Sequence, residues 1–260
     1  MKKLSISLVS VLALILASVA AMAETSGVYV APKFLMMWQN NWVDTDVAYS
    51  DIRPWQKSAD MEKSRFTLGG ALAVGYDFYP RYKFPIRAEL EFAMRGDNKF
   101  SSNDYSNGLG LPGDRQVTNE AIKLKYNAST LLANFYWDFH NDTAFTPYIM
   151  VGAGLAFIKA QLEYNMYSLM NGSSDTGSAR FNRNRDFTNF AWALGAGCAY
   201  EVNENFAVDL GYRYVNLGTV NLDESGVFYD THNDNFFKVN YDGKSFASNH
   251  EIMLGLRYTF

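Results

Sequence analysis

"SNHEIMLGLRYTF", residues 248–260, alternates without a break. Ile252, Leu254, Leu256, Tyr258 and Phe260 fall on one face. Glu251, Met253, Gly255, Arg257 and Thr259 fall on the other. A period of two is the signature of a β-strand, here with one large apolar face and one small or charged face. Such a strand fits many folds, so the solvent met by its apolar face has to be read from the rest of the chain.

Residues 1–23, "MKKLSISLVSVLALILASVAAMA", carry Lys2 and Lys3, then an apolar run over 8–17, then Ala21-Met22-Ala23 before Glu24. That is the layout of a cleaved export signal, and its apolar run is short for a bilayer anchor. Cleavage there makes residues 24–260 the mature domain. Removing the two signal lysines from 23 basic residues leaves 21 against 27 acidic ones, a net charge of −6, which argues against a nucleic-acid binder. Cys198 is the sole cysteine, so the domain contains no internal disulfide.

With 16% aromatic residues and six prolines, the composition suits strands better than helices or disorder. Alternating segments lie at about 27–38, 64–79, 85–97, 120–138, 145–163, 186–202, 206–218 and 245–260, eight in all. The links at 80–84, 139–144 and 203–205 are short. Those at about 39–63, 98–119, 164–185 and 219–244 are long and rich in Asn, Ser, Gly and Asp. Alternation of short and long links predicts an up-and-down meander with all the long loops at one end.

The sorting of charges decides the environment. In "FPIRAELEFAMRG", 84–96, Ile86, Ala88, Leu90, Phe92 and Met94 oppose Arg87, Glu89, Glu91 and Arg95. In "NFAVDLGYRYV", 205–215, Phe206, Val208, Leu210, Tyr212 and Tyr214 oppose Asp209 and Arg213. The large set would overfill an eight-stranded interior, whereas the small and charged set fits it. The fold expected is therefore all-β: an eight-stranded antiparallel transmembrane barrel of the bacterial outer membrane, apolar outside and charged inside. Closure would let the last strand pair with the first at Phe260.

Two segments depart from the simple pattern. In "IKLKYNASTLLANFYWDF", 122–139, the alternation changes phase near Ser129–Leu131, which predicts a bulge there or an extension holding Lys123 and Lys125. In "FFKVNYDGKSF", Asp242-Gly243 signals a hairpin turn; were that hairpin inserted, the strand count would be ten.

The segments "LLANFYWDF" (131–139), "FTPYIMVGAGLAF" (145–157), "GAGCAYEVNENFAVDLGYRYVNLG" (195–218) and "HEIMLGLRYTF" (250–260) resemble the small outer-membrane barrels of the opacity-protein and OmpA-like type. The resemblance covers framework strands. It implies periplasmic termini, loops outside a Gram-negative cell, and a surface-antigen or porin-like role. Tyr258 and Phe260 resemble the C-terminal signal read by the barrel assembly machinery. The long loops match no motif.

Catalytic chemistry finds little support. His140 falls in a short turn, His232 in a long loop among acids, and His250 on the lipid-facing phase while neighbouring Glu251 points inward. The aspartates of "YDTHNDN" lack the glycine and distal glutamate of a calcium loop. "VGAGLAF" and "LGAGCAY" precede no helix and read as small inward positions rather than phosphate loops. No cofactor or metal is expected.

Two constellations remain. Lys33, Arg65, Arg87, Arg95, Arg213 and Arg257 face inward with Asp77, Glu89, Glu91, Asp209 and Glu251, either as an ion-paired plug or as the lining of a narrow channel. Arg180, Arg183 and Arg185 in "ARFNRNRDF" match phosphate geometry, either for lipopolysaccharide or a host polyanion, or for pairing with acids of other loops. The expected protein is a non-catalytic monomer in the outer membrane, contacting lipid and lipopolysaccharide and presenting loops for adhesion or binding. A narrow pore for small solutes is the alternative, and a lipid-modifying enzyme the third reading.

Overall fold

The computed structural model describes residues 27–50, 55–107, 116–170, 175–230 and 235–260; the export signal at 1–23 lies outside them. Among the described residues there are nine strands: β1 (Val28–Ser50), β2 (Trp55–Asp77), β3 (Ile86–Arg95), β4 (Asn98–Asn107), β5 (Gln116–Asp138), β6 (Phe145–Met170), β7 (Asp175–Glu201), β8 (Phe206–Asp230) and β9 (Asn235–Thr259). One helical turn, α1 (Tyr79–Tyr82), joins β2 to β3. All neighbouring strands are antiparallel, and the sheet closes because β1 pairs with both β2 and β9 while β3 pairs with β5. Phe260 donates its backbone N–H to Val28 at 3.0 Å, which seals the first strand to the end of the last.

β3 and β4 are two parts of one wall. Met94 pairs with Ser129 and Asn98 with Tyr126, so three residues of the β3–β4 side oppose two of β5. The extra residue is a bulge at Arg95–Asp97, and the barrel has eight walls. The bulge expected near Ser129–Leu131 therefore belongs to the neighbouring strand. Along β5 the even-numbered residues Tyr126, Ala128, Thr130, Leu132, Asn134, Tyr136 and Asp138 are all buried, with no change of phase. Leu132 and Tyr126 point inward despite their size, and that made the sequence look out of register. Lys123 and Lys125 are exposed above this point.

The long links turn out to be largely strand. Crossing a bilayer takes about 9–11 tilted residues. The paired strands here run to 23–27 residues, so each hairpin continues well past the membrane. Above the bilayer lipid no longer meets the outer face, so the hydrophobic alternation that marks a strand disappears from the sequence while main-chain pairing zips onward. Asp242-Gly243 illustrates the error: both sit mid-strand in β9, paired with Asp223 and Leu222 on one side and with Asp46 and Thr45 on the other. The link between β8 and β9, 231–234, is outside the described residues.

Two seams divide this crown. β2 pairs with β3 only over Gly69–Asp77, so β2 and β4 part above that level. β7 and β8 pair from Glu201 to Trp192, then not again until Ser178 and Gly177 meet Tyr229 and Asp230. Beyond the closed section the barrel thus parts at two seams, with β2–β1–β9–β8 on one side and β7–β6–β5–β4 on the other, the halves rejoined where Gly177 and Ser178 meet Asp230 and Tyr229. Each seam starts at a bulge held by an asparagine. Asn189 donates to the carbonyls of Leu217 (3.2 Å) and Thr219 (3.0 Å) across the β8 bulge at Gly218, whose φ is +81°. Asn127 donates to the Arg95 carbonyl (2.9 Å) and the Asp97 carboxylate (3.1 Å) at the other. The side-chain amides satisfy carbonyls that lose their ladder partner where the strands diverge.

The outer wall is apolar, as a lipid solvent requires. Phe190 is 65% exposed and Leu210 56%, with Leu155, Leu194 and Leu254 on the same surface. Aromatic pairs mark both rims: Trp38 with Phe66 (ring centroids 5.4 Å) and Trp192 with Tyr214 (5.5 Å) toward the crown, Phe145 with Tyr200 (5.0 Å) and Phe206 with Tyr258 (4.8 Å) at the short turns.

Candidate functional site

Inward positions of five strands converge on one charge network. On β1, Lys33 contacts Glu89 and donates to Glu91 (2.7 Å) and Tyr136 (3.1 Å). Arg213 of β8 bridges Glu91 (2.6 Å) and Glu251 (2.7 Å), and Arg95 of β3 donates to Glu251 (2.8 Å) and Thr130 (3.0 Å). Nearer the short turns, Arg87 holds Asp138 through two bonds of 2.6 and 2.8 Å and approaches Asp209 at 3.8 Å, as does Arg257. Five cations thus face five anions: Lys33, Arg87, Arg95, Arg213 and Arg257 with Glu89, Glu91, Asp138, Asp209 and Glu251. Every member is at most 9% exposed. Charges this far from water persist because each has an opposite partner within reach and further donors or acceptors around it.

The membership differs from the sequence reading at three positions. Arg65 is not inside: it is exposed on β2 above the barrel and reaches across the β2–β4 seam to the carbonyl of Lys99. At Arg65 the strand has already left the closed section, so the inward phase no longer means interior. Asp77 sits at the short-turn rim, where its carboxylate accepts the Tyr79 backbone N–H at 2.9 Å and fixes α1. Asp138 was missed. Counting forward from Thr130 in steps of two finds it once the phase of β5 is read as constant. Tyr29 and Tyr136 were also missed; their hydroxyls donate to Glu89 at 3.2 and 2.6 Å.

Above the charges the interior is apolar. Tyr126, Ile158, Leu162, Leu217, Val220 and Ala247 are buried together toward the crown. Gln39, Asn98 and Asn249 form a polar step between the layers, with Asn98 donating to Gln39. Among the described residues the interior cavity lined by Lys33, Arg87, Glu89, Tyr136, Tyr148 and Asp209 has a volume of about 10 Å³, room for about one water. The barrel section is filled by ion pairs below and by side-chain carbon above.

The two described histidines are not gathered into a catalytic group. His250 Nδ1 lies 2.6 Å from the Tyr212 hydroxyl on the lipid-facing wall, while Glu251 is committed to Arg95 and Arg213 inside. His140 stacks on Tyr79 at 3.6 Å, and His232 lies outside the described residues. Of the three loop arginines, Arg183 and Arg185 are exposed on β7 alongside the β7–β8 seam, each engaged by neighbouring groups; the Arg180 side chain lies outside the description.

Residues 9–260 match the model of the outer membrane protein beta-barrel domain. The chain belongs to this outer-membrane barrel family. It is 35% identical over 199 residues to outer membrane protein PagN of Salmonella typhimurium, covering 76% of this chain and 75% of that one. A Rickettsia canadensis protein with the provisional name of adhesin is 26% identical over 156 residues, 60% of this chain and 62% of that. Among solved structures, Neisserial surface protein A aligns over 90% of this chain and 98% of its own, with 17% identity and a TM-score of 0.40. OprG of Pseudomonas aeruginosa aligns over 90% and 96%, with 16% identity and a TM-score of 0.42. The family places the chain in the cell outer membrane.

Proposed function

We propose that this protein is a non-catalytic surface protein whose crown binds a partner outside the cell, for adhesion. The observation that carries the reading is the contrast between the two ends of the strands. Within the membrane the barrel is filled. Outside it, the same strands continue as paired β-structure parted at two seams. Strand length invested beyond the bilayer, above a section packed with ion pairs and side-chain carbon, suits recognition better than transport. Arg180, Arg183 and Arg185 on β7 are the proposed contacts for an anionic partner, lipopolysaccharide phosphate or a host polyanion, since guanidinium matches phosphate and sulfate geometry. The relative with an adhesin name supports the same reading.

Two measurements test it. The full chain, displayed on a non-adherent strain, should raise attachment to cultured cells, and changing the three arginines together to glutamine should reduce it; unchanged attachment in both would refute the proposal. The purified, verified folded barrel should be silent in a planar bilayer, wild type beside Arg87→Ala and Arg213→Ala. Reproducible current steps from the wild type that change with those substitutions would make the charges a channel lining instead.

A further inference from the structure

We propose that the β2–β3 turn is a binding site for the headgroup of an anionic phospholipid in the periplasmic leaflet of the outer membrane, a site separate from the crown. The turn differs from its two counterparts in charge. Between the strand ends this turn carries Arg81 and Lys83, and its one acid, Asp77, is taken up by the Tyr79 N–H, whereas the β5–β6 turn presents Asp142 and the β7–β8 turn Glu201 and Glu204. Positive charge is therefore concentrated on one sector of an otherwise acidic rim.

Lys83 occupies its position against local preference. Its φ is 55°, the only positive φ of a non-glycine among the described residues, at the C-terminus of α1, where glycine is the usual choice. A lysine there costs backbone energy that a glycine would not, so its side chain needs a use. The ammonium lies 5.1 Å over the Tyr79 ring, whose other neighbour is the stacked imidazole of His140. Tyr79 is itself anchored through its N–H to Asp77. The lysine is thus held on a braced platform rather than on a free loop, and the Arg81 guanidinium sits 5.5 Å over the adjacent Tyr82 ring.

The neighbours of these cations point to lipid rather than to a ligand in the periplasmic fluid. Tyr82 is 59% exposed and Phe84 51% exposed, and Phe84 meets lipid-facing Trp137 edge-on with ring centroids 6.5 Å apart. Phe84 therefore lies on the bilayer side of the rim, so a headgroup phosphate can meet Arg81 and Lys83 while its acyl chains run along Phe84 and Trp137.

The experiment is native mass spectrometry of the full refolded protein, carried with phosphatidylglycerol or with phosphatidylethanolamine of matched chains. Phosphatidylglycerol should be retained several-fold more strongly, and Arg81→Gln with Lys83→Gly should abolish that preference. Lys83→Gly should leave the folded fraction and melting temperature unchanged or higher, since glycine accepts φ 55° without strain, so lost binding would not reflect lost folding. Equal retention of the two lipids by the wild type, or a preference surviving in the double variant, would overturn the proposal. So would displacement of the lipid by inorganic phosphate alone, which would assign the cations to a free anion.

Discussion

Replacing Arg213 by methionine keeps much of the side-chain volume and removes one charge from the centre of the network. Arg213 is fully buried and bridges two carboxylates, Glu91 at 2.6 Å and Glu251 at 2.7 Å. Breaking a buried pair by removing one partner typically costs about 3–5 kcal/mol, because the surviving charge has no water to turn to. Here each carboxylate keeps one cation, Lys33 for Glu91 and Arg95 for Glu251, which sets the expected loss near the lower end, about 3 kcal/mol. The interior is left with four cations against five anions. Adding Glu251→Gln restores the balance, so the double variant should be more stable than the sum of the single losses, by a coupling of about 1–3 kcal/mol. Urea titration of the refolded barrel, followed by tryptophan fluorescence and by the shift of the folded band on unheated gels, reads both quantities. A loss under about 1 kcal/mol for Arg213→Met, or strict additivity in the cycle, would show that water reaches these charges and that the interior is a lined channel rather than a plug.

Three further outcomes follow from the same geometry. Leu210→Arg places a charge on the lipid-facing wall at a site 56% exposed to it and should cost about 2–4 kcal/mol in the same titration, provided that face meets hydrocarbon. Gly218→Ala puts a Cβ on a residue with φ +81°, 3.0 Å from the Asn189 Cβ, and should lose about 1–2 kcal/mol by opening the seam; an unchanged midpoint would mean that the bulge relaxes freely. Phe260→Ser removes the C-terminal aromatic but not the backbone bond to Val28, so the protein should refold in vitro yet reach the outer membrane in smaller amount; equal surface levels would remove Phe260 from the assembly signal.

Wherever lipid touches the chain, the sequence was informative. A bilayer is a strict solvent: it rejects charge and accepts carbon, so residues such as those of 250–260 and 205–215 sort at period two. Strand positions, the count of eight walls and most of the inward charges follow from that sorting alone. The failures have the same cause in reverse. Over 221–230 and 235–244 the strands have left the hydrocarbon, so lipid no longer sorts the side chains. Asp242-Gly243 then reads as a turn although it is mid-strand. Inside the barrel a large residue such as Leu132 or Tyr126 can face inward once the charges end, and that hid the constant phase of β5 and with it Asp138.

Partner choice belongs to the tertiary structure. Sequence periodicity places Arg213 inside but cannot say that it bridges Glu91, 122 residues away, or that Arg65 has risen out of the closed section onto a seam. Those facts depend on strand stagger and on two bulges, each a single extra residue. The parting of the crown at two seams is decided in the same way. Local pattern is a property of a strand and its solvent, whereas closure, stagger and pairing are properties of all eight walls at once.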